Sequence, residues 1–158
     1  MIRLRNARQD ELESLSELCL RSKGVWGYDP TFMAACRAEL TLQPAELEPT
    51  HLQVAEVDSV ALGVVQIKVT GEDAHLLKLF VEPNRLRSGI GRLLLGWASE
   101  RARSLGALRM NIEADPNAVP FYRRSGARLA GSAPSGSIPG RMLPLLILNL
   151  QRGFELPR

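Results

Sequence analysis

Two stretches of this chain hold residue types whose spacing suits chemistry on a charged ligand. The first is Leu79-Phe80-Val81-Glu82-Pro83-Asn84-Arg85-Leu86-Arg87-Ser88-Gly89-Ile90-Gly91-Arg92. It reads as a buried strand, a loop rich in donors, and a helix that opens at two glycines. The first turn of a helix leaves several N–H groups without partners inside the helix, and the helix dipole adds partial positive charge there. Gly89 and Gly91 let the main chain approach a bulky anion, and Arg85, Arg87 and Arg92 surround the same place. Together they suit a diphosphate cradle.

The second stretch is Asn111-Ile112-Glu113-Ala114-Asp115-Pro116-Asn117-Ala118-Val119-Pro120-Phe121-Tyr122-Arg123-Arg124-Ser125-Gly126. It places Asn117 just after a strand and the Phe121-Tyr122 pair one turn along a short helix. Asn117 is suited to helix capping, to ligand contact, or to both. Two other phosphate-binding patterns are excluded. A P-loop needs Gly-Lys-Ser/Thr, whereas Arg92-Leu93 follow Gly91. The dinucleotide fingerprint needs a third glycine where Leu94 stands.

The elements that must position these residues are legible as periodicities. Ile2 and Leu4 alternate with Arg3 and Arg5 as a first strand. Asp10 with Glu13 resembles a capping box ahead of a helix carrying Leu12, Leu15, Leu18 and Cys19 to about Lys23. Pro30 opens a second helix to about Leu40, and a loop with Pro44 and Pro49 follows. Three strands then come in succession, His51 to Val57, Val60 to Thr70 with a bulge expected at Gly63, and Ala74 to Glu82. Such short spacing predicts antiparallel hairpins. Ile90, Leu93, Leu94, Trp97, Ala98, Ala102 and Leu105 mark one face of a long helix closed by Gly106. A strand from Leu108 to Ala114, a short helix from Asn117 to Ser125, and a hairpin of Ala127 to Gly131 with Met142 to Leu150 complete the chain. The fold class expected is α/β, a mixed sheet with helices on both faces, in one domain over residues 1–158.

Composition narrows the function. The net charge of +3 and the absence of any Lys/Arg tract argue against a nucleic-acid partner. No run of about 18 apolar residues is present, so no membrane partner is expected. The N-terminus lacks an apolar signal segment, which makes the cytoplasm the expected location. Cys19 and Cys36 have no metal-ligand spacing and read as buried free thiols; no metal is expected.

With both motifs at this separation, the chain resembles the GCN5-related N-acetyltransferase (GNAT) superfamily over nearly its whole length, most strongly from Leu76 to Ala127. The family's Arg/Gln-x-x-Gly-x-Gly/Ala element falls on Leu86-Arg87-Ser88-Gly89-Ile90-Gly91, with Leu86 where Arg or Gln is usual. The resemblance implies the acyl-CoA N-acyltransferase fold, a mostly antiparallel sheet with one splayed parallel pair, and acetyl-CoA as co-substrate. It implies that Leu79, Phe80 and Val81 bind the pantetheine arm through their main chain. Arg87, Ser88, Gly89, Ile90, Gly91 and Arg92 would hold the diphosphate, and Asn117, Phe121 and Tyr122 would flank the arm. Tyr122 occupies the position of a general acid near the thioester sulfur. Glu82 is a candidate general base, with Glu113 as its rival. His51 and His75 are expected to be structural. A homodimer is a further expectation.

The acceptor side is read from two loops. Lys23-Gly24-Val25-Trp26-Gly27-Tyr28-Asp29 offers Trp26 and Tyr28 as a wall, or as anchors of the loop to the core. Ser132 to Arg141 offers hydroxyls and Arg141 to an anion, or is a plain hairpin tip. The function expected is acetyl transfer to a primary amine, in the first place of a small molecule, by direct attack in a ternary complex. A protein amine as acceptor, a non-catalytic acyl-CoA sensor and an enzyme acting on charged tRNA are the rivals.

Overall fold

Apolar alternation makes Arg3–Asn6 the first strand, β1, antiparallel to β2 at His51–Val57. Tight turns then return the chain through β3 at Val60–Thr70 and β4 at Asp73–Val81, each antiparallel to its predecessor. After the helix α3 at Ile90–Ser104, β5 at Arg109–Glu113 lies parallel to β4. The hairpin of β6 at Arg128–Pro134 and β7 at Met142–Asn149 completes a seven-stranded sheet in the order β1-β2-β3-β4-β5-β7-β6. This is the mixed sheet with one parallel pair expected from the sequence. The computed structural model describes residues 1–151; residues 152–158, counted in the expected domain, lie outside the described residues.

Two helices cover one face. In α1, Leu12–Gly24, the residues Leu12, Leu15, Leu18 and Cys19 are buried with Cys36 and Leu40 of α2, Pro30–Leu40, against Leu52, Val54 and Val64. On the other face Ile90, Leu94, Leu95, Ala98 and Ala102 of α3 pack on Ala55, Val65, Ile67, Met110 and Ile112. Each fully buried leucine or isoleucine contributes about 1.5–3 kcal/mol against exposure. The short helix α4, Val119–Arg124, adds Tyr122 to this second cluster.

Several local signals behave as anticipated. Asp29 caps α2 by accepting from the Phe32 N–H at 2.8 Å, with Pro30 in the first turn. The bulge at Gly63 is present: Ala55 faces Gly63 and Glu56 faces Ala61, so Leu62 is the extra residue. A Cβ on Gly63 would come within 2.8 Å of Ile90 Cγ2, so the glycine lets α3 pack close to the sheet.

Three local readings need correction. The chain enters α1 through a 3-10 turn at Gln9–Glu11, and Glu11, not the Asp10/Glu13 pair, accepts from the Arg8 N–H at 2.7 Å. Glu11 is chosen because Arg5 clamps its carboxylate from β1, at 2.7 and 2.8 Å. Strand β6 runs to Pro134, longer than its weak sequence pattern indicated, because β7 pairs with it to Met142. The link from β6 to β7 is not a plain tip. Ser137 donates to Glu39 of α2, and Ile138 packs against the α1–α2 cluster.

A second bulge decides which way β4 presents its side chains. Gln66 faces Lys78 while Ile67 faces Leu76, leaving Leu77 as the extra residue. Ala74 and Leu76 pack in the α3 cluster, yet beyond the bulge Phe80 joins the α1–α2 cluster. Side chains alternate with a period of two, so one inserted residue exchanges the faces. Without it, Lys78 and Phe80 would point beneath α3.

Candidate active site

The parallel pairing of β4 with β5 begins at Asp73 with Arg109 and stops at Leu76 with Ile112. From there β5 follows β7, pairing Glu113 with Leu145, while β4 continues to Val81 alone on that side. A wedge opens between the two strands. The Glu82 N–H donates to Leu62 O at 2.8 Å, so Glu82 faces β3. Antiparallel alternation then turns the main chain of Phe80 to β3 and that of Leu79 and Val81 into the wedge. Unpaired strand groups of this kind accept another extended chain.

Helix α3 starts at the mouth of the wedge. Gly89 precedes it with φ +90°, and Arg87 is also left-handed at +65°. Left-handed residues next to right-handed ones turn successive amides to one side, forming a concavity suited to an anion. The first α3 amide with a helical partner is Leu93, donating to Gly89 O at 3.1 Å, so Ile90, Gly91 and Arg92 present free N–H groups. Arg85, Arg87, Ser88 and Arg92 are exposed around them. Gly91 lies against Phe121: a Cβ there would touch Phe121 Cζ at 3.4 Å. Phe121 thus joins the start of α3 to α4.

Tyr122 follows on α4 and is 7% exposed. It lines a cavity of about 120 Å³ with Leu76, Lys78, Leu79 and Phe80 on one strand and Ile112 and Glu113 on the other. Burial, and secondarily the nearby Asp115 charge, push its hydroxyl well above the ordinary tyrosine value. Among the described residues that hydroxyl has no hydrogen-bond partner, which leaves it free for a ligand.

The far wall of the cavity is a polar cluster centred on Asp115. Lys23 Nζ donates to Asp115 Oδ2 at 2.8 Å and Tyr28 Oη donates to the same oxygen at 2.7 Å. Asp115 Oδ1 accepts from the main chain and side chain of Asn117, both at 2.9 Å. Arg141 donates to Tyr28 Oη at 3.0 Å and stands 3.9 Å from Asp115. Tyr28 stacks on Phe32 at 4.0 Å, with Lys23 and Arg141 over the rings. Burial would raise the Asp115 carboxyl, but hydrogen bonds from Lys23, Tyr28 and the Asn117 N–H hold it below its usual value. Tyr28 is raised, first by burial and then by Asp115.

The structure therefore brings Tyr28, Asn117, Tyr122 and Arg141 together, and assembles Leu79, Val81, Gly89, Ile90, Gly91 and Arg92 beside them. Neither Trp26, which is 45% exposed, nor Tyr28 lines the cavity directly; Tyr28 reaches its wall through Asp115 and Arg141. Asn117 caps no helix: Asp115 caps the 3-10 turn Pro116–Ala118, and α4 has no side-chain cap. Glu82 lies at the end of β4 with both oxygens engaged by Arg21, at 2.7 and 2.9 Å, and the Arg21 hydrogen bond lowers its carboxyl. Glu113 is exposed at the cavity edge. Cys19 and Cys36 are free and buried, and burial pushes the Cys19 thiol up to about 12. His75 is exposed, while His51 is lowered by burial and by Arg101, away from the cavity.

Sequence reasoning missed three participants. Asp115 stands within the second motif, where an Asp-Pro-Asn run signals a capped turn. Lys23 and Lys78 are two of only three lysines in an arginine-rich chain. Their meeting at the cavity depends on contacts across the sheet that no local pattern records.

An acetyltransferase (GNAT) domain family model matches residues 22–133. The chain belongs to this family. It is an acyltransferase, and the matched span holds the wedge, the α3 start and Tyr122. No curated protein sequence matches it. Among solved structures, the acetyltransferase resembles PaiA N-acetyltransferase from Thermoplasma acidophilum in complex with coenzyme A, at TM-score 0.76 and 19% identity over 94% of this chain and 99% of that one. It also resembles a GNAT family acetyltransferase from Brucella melitensis in complex with acetyl-CoA, at 0.67 and 18% over 100% and 94%. A ribosomal-protein alanine N-acetyltransferase from Escherichia coli matches at 0.70 and 17% over 95% and 94%. At these identities the likeness establishes the fold. No helix among the described residues is long and apolar enough to cross a membrane, and no group of three metal-ligating side chains occurs among them.

Proposed function

We propose that this single-domain acetyltransferase moves an acetyl group from acetyl-CoA to the primary amine of a small molecule, by direct attack in a ternary complex. The observation that carries the reading is the wedge between β4 and β5, which ends at free amides of α3 and encloses Tyr122. The coenzyme fits this chain: free main-chain donors meet an anion at one end, and unpaired strand groups meet an extended amide arm along the other. The coenzyme–acetyl thioester supplies an activated carbonyl.

The protein supplies the rest. The Ile90, Gly91 and Arg92 amides hold the diphosphate, with Arg87, Ser88 and Arg92 side chains around it. Leu79 and Val81 bind the arm through their main chain, and the Val81 N–H stabilises developing oxyanion charge. Phe121 fixes α4 against the cradle, and Asn117 ties the arm's flank to Asp115. Tyr122 remains protonated throughout the working range because its hydroxyl is raised. As the nitrogen–carbon bond forms and the carbon–sulfur bond breaks, Tyr122 gives its proton to the departing sulfur and regains the proton that the amine nitrogen releases. A thiol's ordinary pKa of about 8.5 makes the thiolate a tolerable leaving group, so this donor assists without dominating. Holding both substrates in the cavity contributes the larger share.

The small volume of the cavity, about 120 Å³, favours a small acceptor over an extended peptide. An amine-library screen with acetyl-CoA, following thiol release, tests the reading. At least one small amine should release thiol well above background hydrolysis. Turnover only with peptides or proteins would move the acceptor class, and none with any amine would refute the transferase.

A further inference from the structure

Three cations line the acceptor cavity, and they are not equivalent. Lys23 and Arg141 share Asp115. Lys78 has no carboxylate within 4.0 Å among the described residues. It is 8% exposed, and its Nζ makes one hydrogen bond, to Gln66 Oε1 at 3.1 Å. Gln66 is held in turn by donating to Glu46 at 2.7 Å and to Thr50 at 3.1 Å. This network aims the Gln66 carbonyl at Lys78 and satisfies one of its three donors.

A buried charge without a counter-ion is costly, and such charges are ordinarily paired. Lys78 reaches this place only because the Leu77 bulge exchanges the faces of β4. Otherwise its side chain would enter the apolar cluster under α3. Lys78 lines the cavity together with Phe80 and Tyr122, and the fully buried Gln66 stands behind it.

We propose that Lys78 is the anion-binding residue of the acceptor site, and that the acceptor is a small amine that also carries a carboxylate, in the manner of an amino acid. Lys23 and Arg141 share the one Asp115 carboxylate and are held by Tyr28, so they are committed to shaping the wall. Lys78 supplies the ligand's counter-ion. This rests on the acetyl-transfer reading for the amine's fate, but the anion preference itself is measurable without turnover.

The test is calorimetry on the CoA-saturated protein with L-alanine, L-methionine and L-phenylalanine, each against its carboxamide. For at least one pair the acid should bind tenfold or more tighter than the amide. Lys78→Met should erase that preference while leaving amide and CoA affinity within threefold, and Lys78→Arg should restore part of it. Equal binding of every acid and amide, or no binding of either, overturns the proposal, as does a preference that survives Lys78→Met. If Lys78→Met fails to fold, the wild-type pairs and Lys78→Arg still decide. A carboxylate preference without thiol release from any amine would refute the transferase reading and leave the anion site standing.

Discussion

The two halves of the site are built from different materials. The donor half, from Leu79 to Arg92, is mainly main chain: free strand edges, free helix amides and two glycines. The acceptor half is mainly side chain. Lys23 and Tyr28 come from α1 and the loop after it, Lys78 from a bulged strand, Asp115 from the turn before α4, and Arg141 from the β6–β7 link. Main-chain recognition depends on backbone shape, so it constrains few residue types and leaves a local signature. Side-chain recognition assembles over long sequence separations and is free to vary. In the function we propose, the donor half accordingly identifies the chemistry, and the acceptor half selects who receives it.

That contrast yields graded tests. The largest effect should come from Gly91→Glu, which puts a Cβ against Phe121 and a carboxylate beside the diphosphate. CoA affinity in calorimetry should fall by roughly a hundredfold or more, an effect of about 2.7 kcal/mol or more. A loss under fivefold would place the diphosphate elsewhere. Next, Tyr122→Phe should lower kcat roughly ten- to hundredfold with CoA affinity unchanged, as expected for one proton donor. A kcat unchanged in steady-state assays would remove Tyr122 from the chemistry.

Smaller effects belong to the acceptor half. Tyr28→Phe deletes the hydroxyl that joins Asp115 to Arg141. It should raise the acceptor KM about tenfold, the scale of one charge-assisted hydrogen bond, and leave the acetyl-CoA KM alone. A rise in both would break the division between the halves. Glu82→Gln should cost less than fivefold, because Arg21 already occupies both carboxylate oxygens. A hundredfold fall in kcat would reinstate Glu82 as the general base.

The pH profile sharpens the same division. Tyr122 is raised above the ordinary tyrosine value of 10.0, so its proton is retained below that pH. The log of kcat/KM should therefore climb as the acceptor amine loses its own proton, with no falling limb before about pH 10. A descending limb near neutrality would assign the acid role to another group.

How much of this was legible follows from the same physics. Strand alternation, the hairpins, the α3 face and the glycine pair are short-range patterns, and they yielded the strands and the start of α3, while the parallel pair followed from the family resemblance. The Asp10/Glu13 capping box failed because Arg5, on β1, selects Glu11. Lys78 was unreadable because the Leu77 bulge reverses the faces of β4, and nothing in a Leu-Leu-Lys-Leu run marks the inserted residue. Trp26 and Tyr28 read alike as an aromatic pair, but Tyr28 alone carries a hydroxyl able to reach Asp115. Asp115 was passed over because a cap and a hub look alike in one dimension.

Amide hydrogen exchange with and without CoA addresses the donor half most directly. Residues 77–81 and 89–92 should slow on coenzyme addition, while β1, β2 and the outer face of α3 stay unchanged. Slowing confined to other segments, or no slowing at saturating coenzyme, would contradict a diphosphate and arm seated along β4 and the start of α3.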